Sequence, residues 1–189
     1  MTSYLDLFAI LTGVVYILAI AAERRVGWVF GFANALLSMG VFYYARFYGE
    51  AALQIVYSVL AVYGWWAWRN TSQDAANSTA PLVIQHLAKA KHALVMAVIA
   101  VVGTSIGALL YRFTDAAMPF ADALLSAGGL VATYLTARKI TASWYYWIAI
   151  DLCAIGVYSY RGIVSMAILS VLYALLSIYG LRKWQQQAA

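Results

Sequence analysis

The chain has 189 residues, 65% of them hydrophobic and only 10% charged, with a mean hydropathy of +0.80. A soluble domain of this length needs a charged, solvated shell, which this composition does not supply. The net charge of +5 is spread in short groups between apolar runs, which argues against a nucleic-acid surface, and the one cysteine, Cys153, excludes a disulfide framework and a cysteine metal site.

Seven apolar runs follow in chain order: Leu5–Ala22, Gly27–Ala45, Ala51–Trp68, Ala93–Tyr111, Phe120–Ala137, Trp144–Tyr160 and Ile163–Leu181. Each is long enough to cross a hydrocarbon core of about 30 Å as a helix, the form in which a spanning backbone satisfies its own polar groups. The opening residues Met1–Asp6 carry no basic segment, so the first run is expected to be a permanent helix and not a cleaved signal. The polar stretch Arg69–Lys91 is expected to be a loop, with a short interfacial helix carrying His86, Lys89, Lys91 and His92. With the N-terminus outside, nine of the 12 Lys and Arg fall at cytoplasmic ends and only Arg46, Arg112 and Arg161 at outer ends. This bias predicts seven crossings, N-out and C-in.

Sliding the chain against itself by 116 residues lays residues 4–69 over 120–185 without a gap, with 17 identical pairs among 66. The pairs include rare types: Asp6/Asp122, Gly13/Gly129, Trp28/Trp144, Gly40/Gly156, Tyr57/Tyr173, Gly64/Gly180 and Trp68/Trp184. A three-helix unit ends on the side opposite its start, so a parallel second copy needs one extra crossing, and the unpaired fourth run supplies it. The expected architecture is all-α and integral to the membrane. It comprises a first repeat 4–69, a cytoplasmic loop 70–92, a connecting helix 93–111 and a second repeat 120–185. Such repeats leave a substrate cleft at their axis, and the matched glycines Gly13, Gly40 and Gly64 are expected to admit close helix approach.

Polar groups inside spans mark the candidate site, because each needs a partner or water. Asp151 lies near the middle of the sixth run, and Trp144, Trp147, Asp151 and Tyr158 share one helical face. Tryptophan faces beside an acid suit a flat cationic ring; the structural alternative is an interfacial anchor at Trp144 and a protonated or hydrogen-bonded Asp151. In the first half, Asn34 sits mid-span and Gln54 and Tyr57 share a face, placed either for a ligand's carboxamide, ring nitrogen or hydroxyl or for a neighbouring helix. Asp122 and Asp6 begin the fifth and first spans, where capping is the ordinary role. Gly64–Arg69 is expected to be an aromatic belt at the cytoplasmic surface.

Several ordered segments resemble the PnuC family of vitamin transporters. They are Gly31-Phe32-Ala33-Asn34, Leu53-Gln54, Tyr63-Gly64-Trp65-Trp66-Ala67-Trp68, Pro119-Phe120-Ala121-Asp122, Ala137-Arg138-Lys139, Ser143-Trp144-Tyr145-Tyr146-Trp147-Ile148 and Tyr179–Trp184. The resemblance covers nearly the whole chain. It implies a full-length SWEET-like 3+1+3 fold in the cell (inner) membrane. It also implies facilitated uptake of nicotinamide riboside or, in relatives, thiamine, with trapping by a cytoplasmic kinase. Asn34, Gln54, Trp144 and Trp147 become ligand contacts by matching position. Family members often carry Asn where this chain has Asp151, a departure that bears on the substrate. The resemblance also implies a homotrimer, a state known in the family that the sequence does not itself show.

Other classes lack their chemistry. A retinal protein needs a lysine deep in the last span, whereas Lys183 lies at its end, and an intramembrane aspartyl protease needs a Gly-x-Gly-Asp element that is absent. No nucleophile pair, phosphate loop, metal cluster or cofactor motif occurs. A non-transporting structural or signalling membrane subunit is the alternative of another class.

Overall fold

The computed structural model describes residues 2–44, 48–69, 83–115 and 117–187, without the side chains of 2, 3, 6, 48 and 49; Arg46, Pro81 and most of the polar loop lie outside this set. Seven helices run in order: α1 Thr2–Ala21, α2 Gly27–Tyr44, α3 Tyr48–Ala67, α4 Lys89–Phe113, α5 Pro119–Ala137, α6 Ala142–Tyr160 and α7 Val164–Gln187. Each falls on one of the expected apolar runs. Among the described residues α4, α5 and α7 are long and apolar enough to cross a membrane by length and composition, and Leu7–Ala21 forms a shorter apolar helix. In α2 and α6 the residues that lower the hydropathy include Trp28, Asn34, Trp147 and Asp151, which line an internal cavity. Elsewhere the outer faces are apolar and exposed, as at Leu7, Phe8 and Leu11 on α1 and Leu94, Val101 and Leu109 on α4.

Six helices close a ring in the order α1, α2, α3, α5, α6, α7 and back to α1, with α4 lying outside it against α5. Gly103 and Gly107, four residues apart on α4, bring its backbone against Leu124 and Phe120, a small-residue seam of the kind that packs helices where no hydrophobic force acts between them. Among the described residues before α4, 83–88, the expected interfacial helix is not formed. His86 lies in a non-helical stretch, while Lys89, Lys91 and His92 belong to the first turn of α4. Gln85 is instead held as a single parallel bridge, its N–H donating to Lys139 O and its carbonyl accepting from Thr141 N–H, both at 2.9 Å. These backbone pairings satisfy groups that a free helix end would leave open.

The ring is closed at one end by contacts that occur twice, at residues 116 apart. α1 ends with Glu23 N–H bonded to Ile20 O and Arg24 N–H to Ala19 O; α5 ends with Lys139 N–H bonded to Thr136 O and Ile140 N–H to Leu135 O. Both ends place a non-glycine residue at φ 53°, Glu23 and Lys139, the left-handed position of a Schellman cap. These two residues then pair with each other, Lys139 Nζ lying 2.6 Å from Glu23 Oε2, with the lysine side chain 3% exposed. Trp68 Nε1 donates to Ala137 O at 3.0 Å, and Trp184 Nε1 donates to Ile20 O at 3.3 Å. Trp28 meets Trp68 edge-on, Trp144 meets Trp184 edge-on, and Trp68 lies beside Trp184, so four indoles form one continuous layer. Trp68 is therefore core, contrary to the expected surface belt. Trp66 does stay exposed, and Trp65 carries the Arg25 guanidinium over its ring at 3.7 Å.

The indole layer depends on missing side chains. A Cβ at Gly64 would strike the Trp28 ring and one at Gly180 the Trp144 ring, whereas Gly40 and Gly156 face open space and do not serve the close approach expected of them. Gly64→Ala and Gly180→Ala are each expected to destabilise the protein by about 1–3 kcal/mol through overpacking, seen as a lower melting temperature in detergent, while Gly40→Ala melts like the parent. Glu23→Gln strands the buried ammonium of Lys139 and is expected to cost about 3 kcal/mol. The charge-exchanged pair Glu23→Lys with Lys139→Glu should recover part of that loss; equal melting of all three proteins would show that the pair contributes nothing.

Candidate functional site

The ring encloses a cavity of about 520 Å³, lined by every ring helix. At one end it stops on Trp28 and Trp144; Trp68 and Trp184 lie behind them in the same buried cluster and do not reach it. Toward the opposite end its wall includes Val41 and Phe42 near the end of α2 and Ser165 and Met166 at the start of α7.

Six of the eight residues singled out from sequence share this cavity: Asn34, Gln54, Tyr57, Trp144, Trp147 and Asp151. Helical spacing explains the set on α6, since Trp144, Trp147 and Asp151 lie within two turns on one stripe. Asp151 is buried and accepts a hydrogen bond from Ser177 Oγ at 3.4 Å. Among the described residues it is the one Asp or Glu in the lining, which holds no Lys, Arg or His. On the facing wall Asn34 Nδ2 donates to Ala9 O at 2.5 Å and to Thr12 Oγ1 at 3.3 Å, so its amide nitrogen braces α2 on α1 while the residue borders the cavity. Tyr57 carries its hydroxyl against Gly129 of α5, where Trp147 also approaches, and Tyr173 carries its own against Gly13 of α1 beside Asn34. Each tyrosine thus crosses between helices at a place where only glycine leaves room.

Two expected site residues lie elsewhere. Asp122 sits in the first turn of α5 and pairs with Arg161 at 3.3 Å; its place at a helix start keeps it near the surface. Tyr158, two turns beyond Asp151, is half-buried outside the lining, because the stripe leaves the cavity as α6 continues. Several lining residues were not anticipated: Tyr16, Trp28, Thr133, Thr136, Tyr173 and Ser177. The 116-residue offset carried a signal for two of them, since Trp28 pairs with Trp144 and Tyr173 with Tyr57. The indole N–H groups of Trp28 and Trp144 are buried without an acceptor among the described residues. An orphaned donor costs about 1–3 kcal/mol, and such costs gather at sites kept for function. Thr133 and Thr136 instead turn their hydroxyls back to Gly129 O and Ala132 O of their own helix, each at 2.8 Å.

The arrangement can take a small organic molecule beside tryptophans, with one acid on the α6 side and amides on the α2–α3 side. Among the described lining residues it offers no cation to hold a phosphate. No group of three or more His, Cys, Asp or Glu able to hold a metal occurs among the described residues.

Comparison with known proteins places the chain. The family model described as nicotinamide mononucleotide transporter matches residues 3–186. The riboflavin/roseoflavin transporter RibM of Streptomyces davaonensis is 30% identical over 159 residues, 83% of this chain and 73% of that protein. The nicotinamide riboside transporter PnuC of Escherichia coli is 22% identical over 207 residues, covering 98% of this chain and 87% of the relative. A crystal structure of the vitamin B3 transporter PnuC superposes with a TM-score of 0.78 at 22% identity, over 98% of this chain and 82% of that one. The chain therefore belongs to the nicotinamide mononucleotide transporter (PnuC) family, and it is a multi-pass protein of the cell (inner) membrane and a transporter rather than an enzyme.

Proposed function

We propose that the protein takes up nicotinamide riboside by facilitated diffusion, with a cytoplasmic kinase trapping the vitamin after entry. The observation that carries this reading is the composition of the cavity wall: three tryptophans and a lone buried carboxylate, Asp151, with no basic residue among the described lining residues. A cationic pyridinium ring gains stacking, cation–π attraction and a counter-charge there. A nucleotide, named in the family's description, would bring a phosphate with nothing to neutralise it, and buried unpaired charge is costly. That favours the riboside over the mononucleotide. Thiamine, the other cationic vitamin, satisfies the same wall. The relative at 30% identity carries flavins by name; a flavin fits the volume but leaves Asp151 without a counter-charge.

The architecture belongs to the same proposal. Two parallel three-helix repeats, 4–69 and 120–185, joined by α4, form a full-length SWEET-like 3+1+3 fold with the N-terminus outside. Three facts support it: the paired caps at Glu23 and Lys139, the exchanged tryptophan bonds, and the reciprocal packing of α1 on α7 and α3 on α5. On this orientation the indole layer is the cytoplasmic closure and the cavity faces outward. Release inward then requires the halves to part where Trp68 and Trp184 bond across. Homotrimer formation is part of the family-based reading and is read directly by the mass of the detergent-solubilised protein.

Reconstitution in liposomes tests the function. Labelled nicotinamide riboside is expected to equilibrate across the bilayer, with no accumulation above the external concentration and no response to imposed sodium or proton gradients. Uptake of riboflavin in its place would overturn the assignment, uptake of thiamine alone would move it within the cationic class, and movement of none of the three would favour a non-transporting subunit. Asp151→Asn is expected to weaken binding of the cation by about tenfold, the equivalent of one 1.4 kcal/mol step; calorimetry showing unchanged affinity would make Asp151 structural.

A further inference from the structure

The two halves of the cavity wall differ sharply at one pair of positions. Asp151 on α6 and Ser177 on α7 are bonded to each other and both line the cavity. The residues 116 positions earlier are Ala35 on α2 and Ala61 on α3, which also line the cavity and are also buried. Acid and hydroxyl are thus present together at these two positions of one wall and absent together at the corresponding positions of the other. The direction of the hydroxyl is also unusual. Ser58 and Ser170 turn back to the carbonyl four residues earlier on their own helix, as do Thr133 and Thr136. That is the default for hydroxyls inside helices. Ser177 instead reaches across to Asp151, and a hydroxyl donated to a carboxylate stabilises the anion and fixes its orientation.

We propose that Ser177 is a positioning residue that holds the Asp151 carboxylate charged and aimed, so that the α6–α7 wall selects the positively charged ring of the substrate and orients it. The inference rests on the reading of the protein as a carrier of a cationic vitamin. It assigns the ring to the side of Trp147 and Asp151 and the neutral hydroxyl-bearing part to the side of Asn34 and Gln54. Packing does not require the hydroxyl, since alanine occupies the corresponding place at Ala61.

The test compares ligands that differ in charge. Binding and initial uptake are measured in proteoliposomes for two cations, nicotinamide riboside and thiamine, and for two uncharged compounds, the reduced form of nicotinamide riboside and riboflavin. Ser177→Ala is expected to weaken the transported cation about fivefold, less than a full charge-assisted bond because the contact is long, and to leave any uncharged compound that binds unchanged. Ser177→Thr should restore the parent affinity, and Ser177→Cys, a size-matched weak donor, should fall between. In an Asp151→Asn background Ser177→Ala should have no further effect, since the two residues act as one unit. Equal losses for charged and uncharged ligands, a full additive loss in that background, or no loss at all would overturn the proposal. A parent protein that carries thiamine but not nicotinamide riboside removes the substrate assignment and leaves this inference standing on thiamine. A parent that carries only an uncharged compound removes both.

Discussion

The structure turns on how two sets of helices are closed against each other without a hydrophobic force to do it. In a bilayer the apolar outer faces gain nothing by meeting, so the closure must come from close packing and from polar groups that find partners only across the junction. Here the bonds of Trp68 to Ala137 and of Trp184 to Ile20 each run from the end of a third helix to the end of a first helix in the other half. The ion pair of Lys139 with Glu23 joins the two left-handed caps directly. Lys139 also lies over the Trp68 ring, 4.9 Å from its centroid, so charge, indole and backbone bonds meet in one layer. The cavity ends on that layer, at Trp28 and Trp144.

The same closure explains what was legible beforehand. Helix existence followed from the length of the apolar runs, and all seven runs are helical. The identities at an offset of 116 marked residues whose roles match in space: Trp28 with Trp144, Gly64 with Gly180, Tyr57 with Tyr173. The offset also led astray. Gly40 and Gly156 match but face open space, because identity at a glycine does not reveal which side of a helix the neighbour occupies. Glu23 and Lys139 do not match in type, and their partnership was invisible for that reason, since opposite charges at corresponding positions look like divergence until the two ends meet.

The candidate site was legible in part for a related reason. A mid-span acid or amide must face inward, so Asn34, Gln54 and Asp151 could be placed from burial cost alone. Asp122 and Tyr158 failed because position along a helix decides depth: one turn from a helix start, or two turns past the acid, a polar group reaches the level where Arg161 is available. Ser177 gave no signal because small hydroxyls are cheap in helices and usually bond to their own backbone. Tyr16 gave none because an aromatic in an apolar run reads as core or lipid-facing. Its contact with Gly31 exists only once α1 and α2 are packed.

The departure from symmetry matters more for the proposed transport than the symmetry does. Two equal walls would hold a ligand in either direction and give charge no fixed place. With Ala35 and Ala61 on one side and Asp151 and Ser177 on the other, the cavity has a negative pole. That pole bears on trapping as well as on entry. A kinase that phosphorylates the vitamin converts a cation into a species with net negative charge at the sugar end. The described lining has no Lys, Arg or His to receive it, and the fixed carboxylate repels it across a low-dielectric cavity where repulsion is screened little. On the proposed reading, the wall that admits the vitamin is the wall that refuses its phosphate. On that reading a passive carrier needs no coupled ion: phosphorylation keeps the free vitamin low inside and so drives net entry, and the lining only denies the charged product a way back.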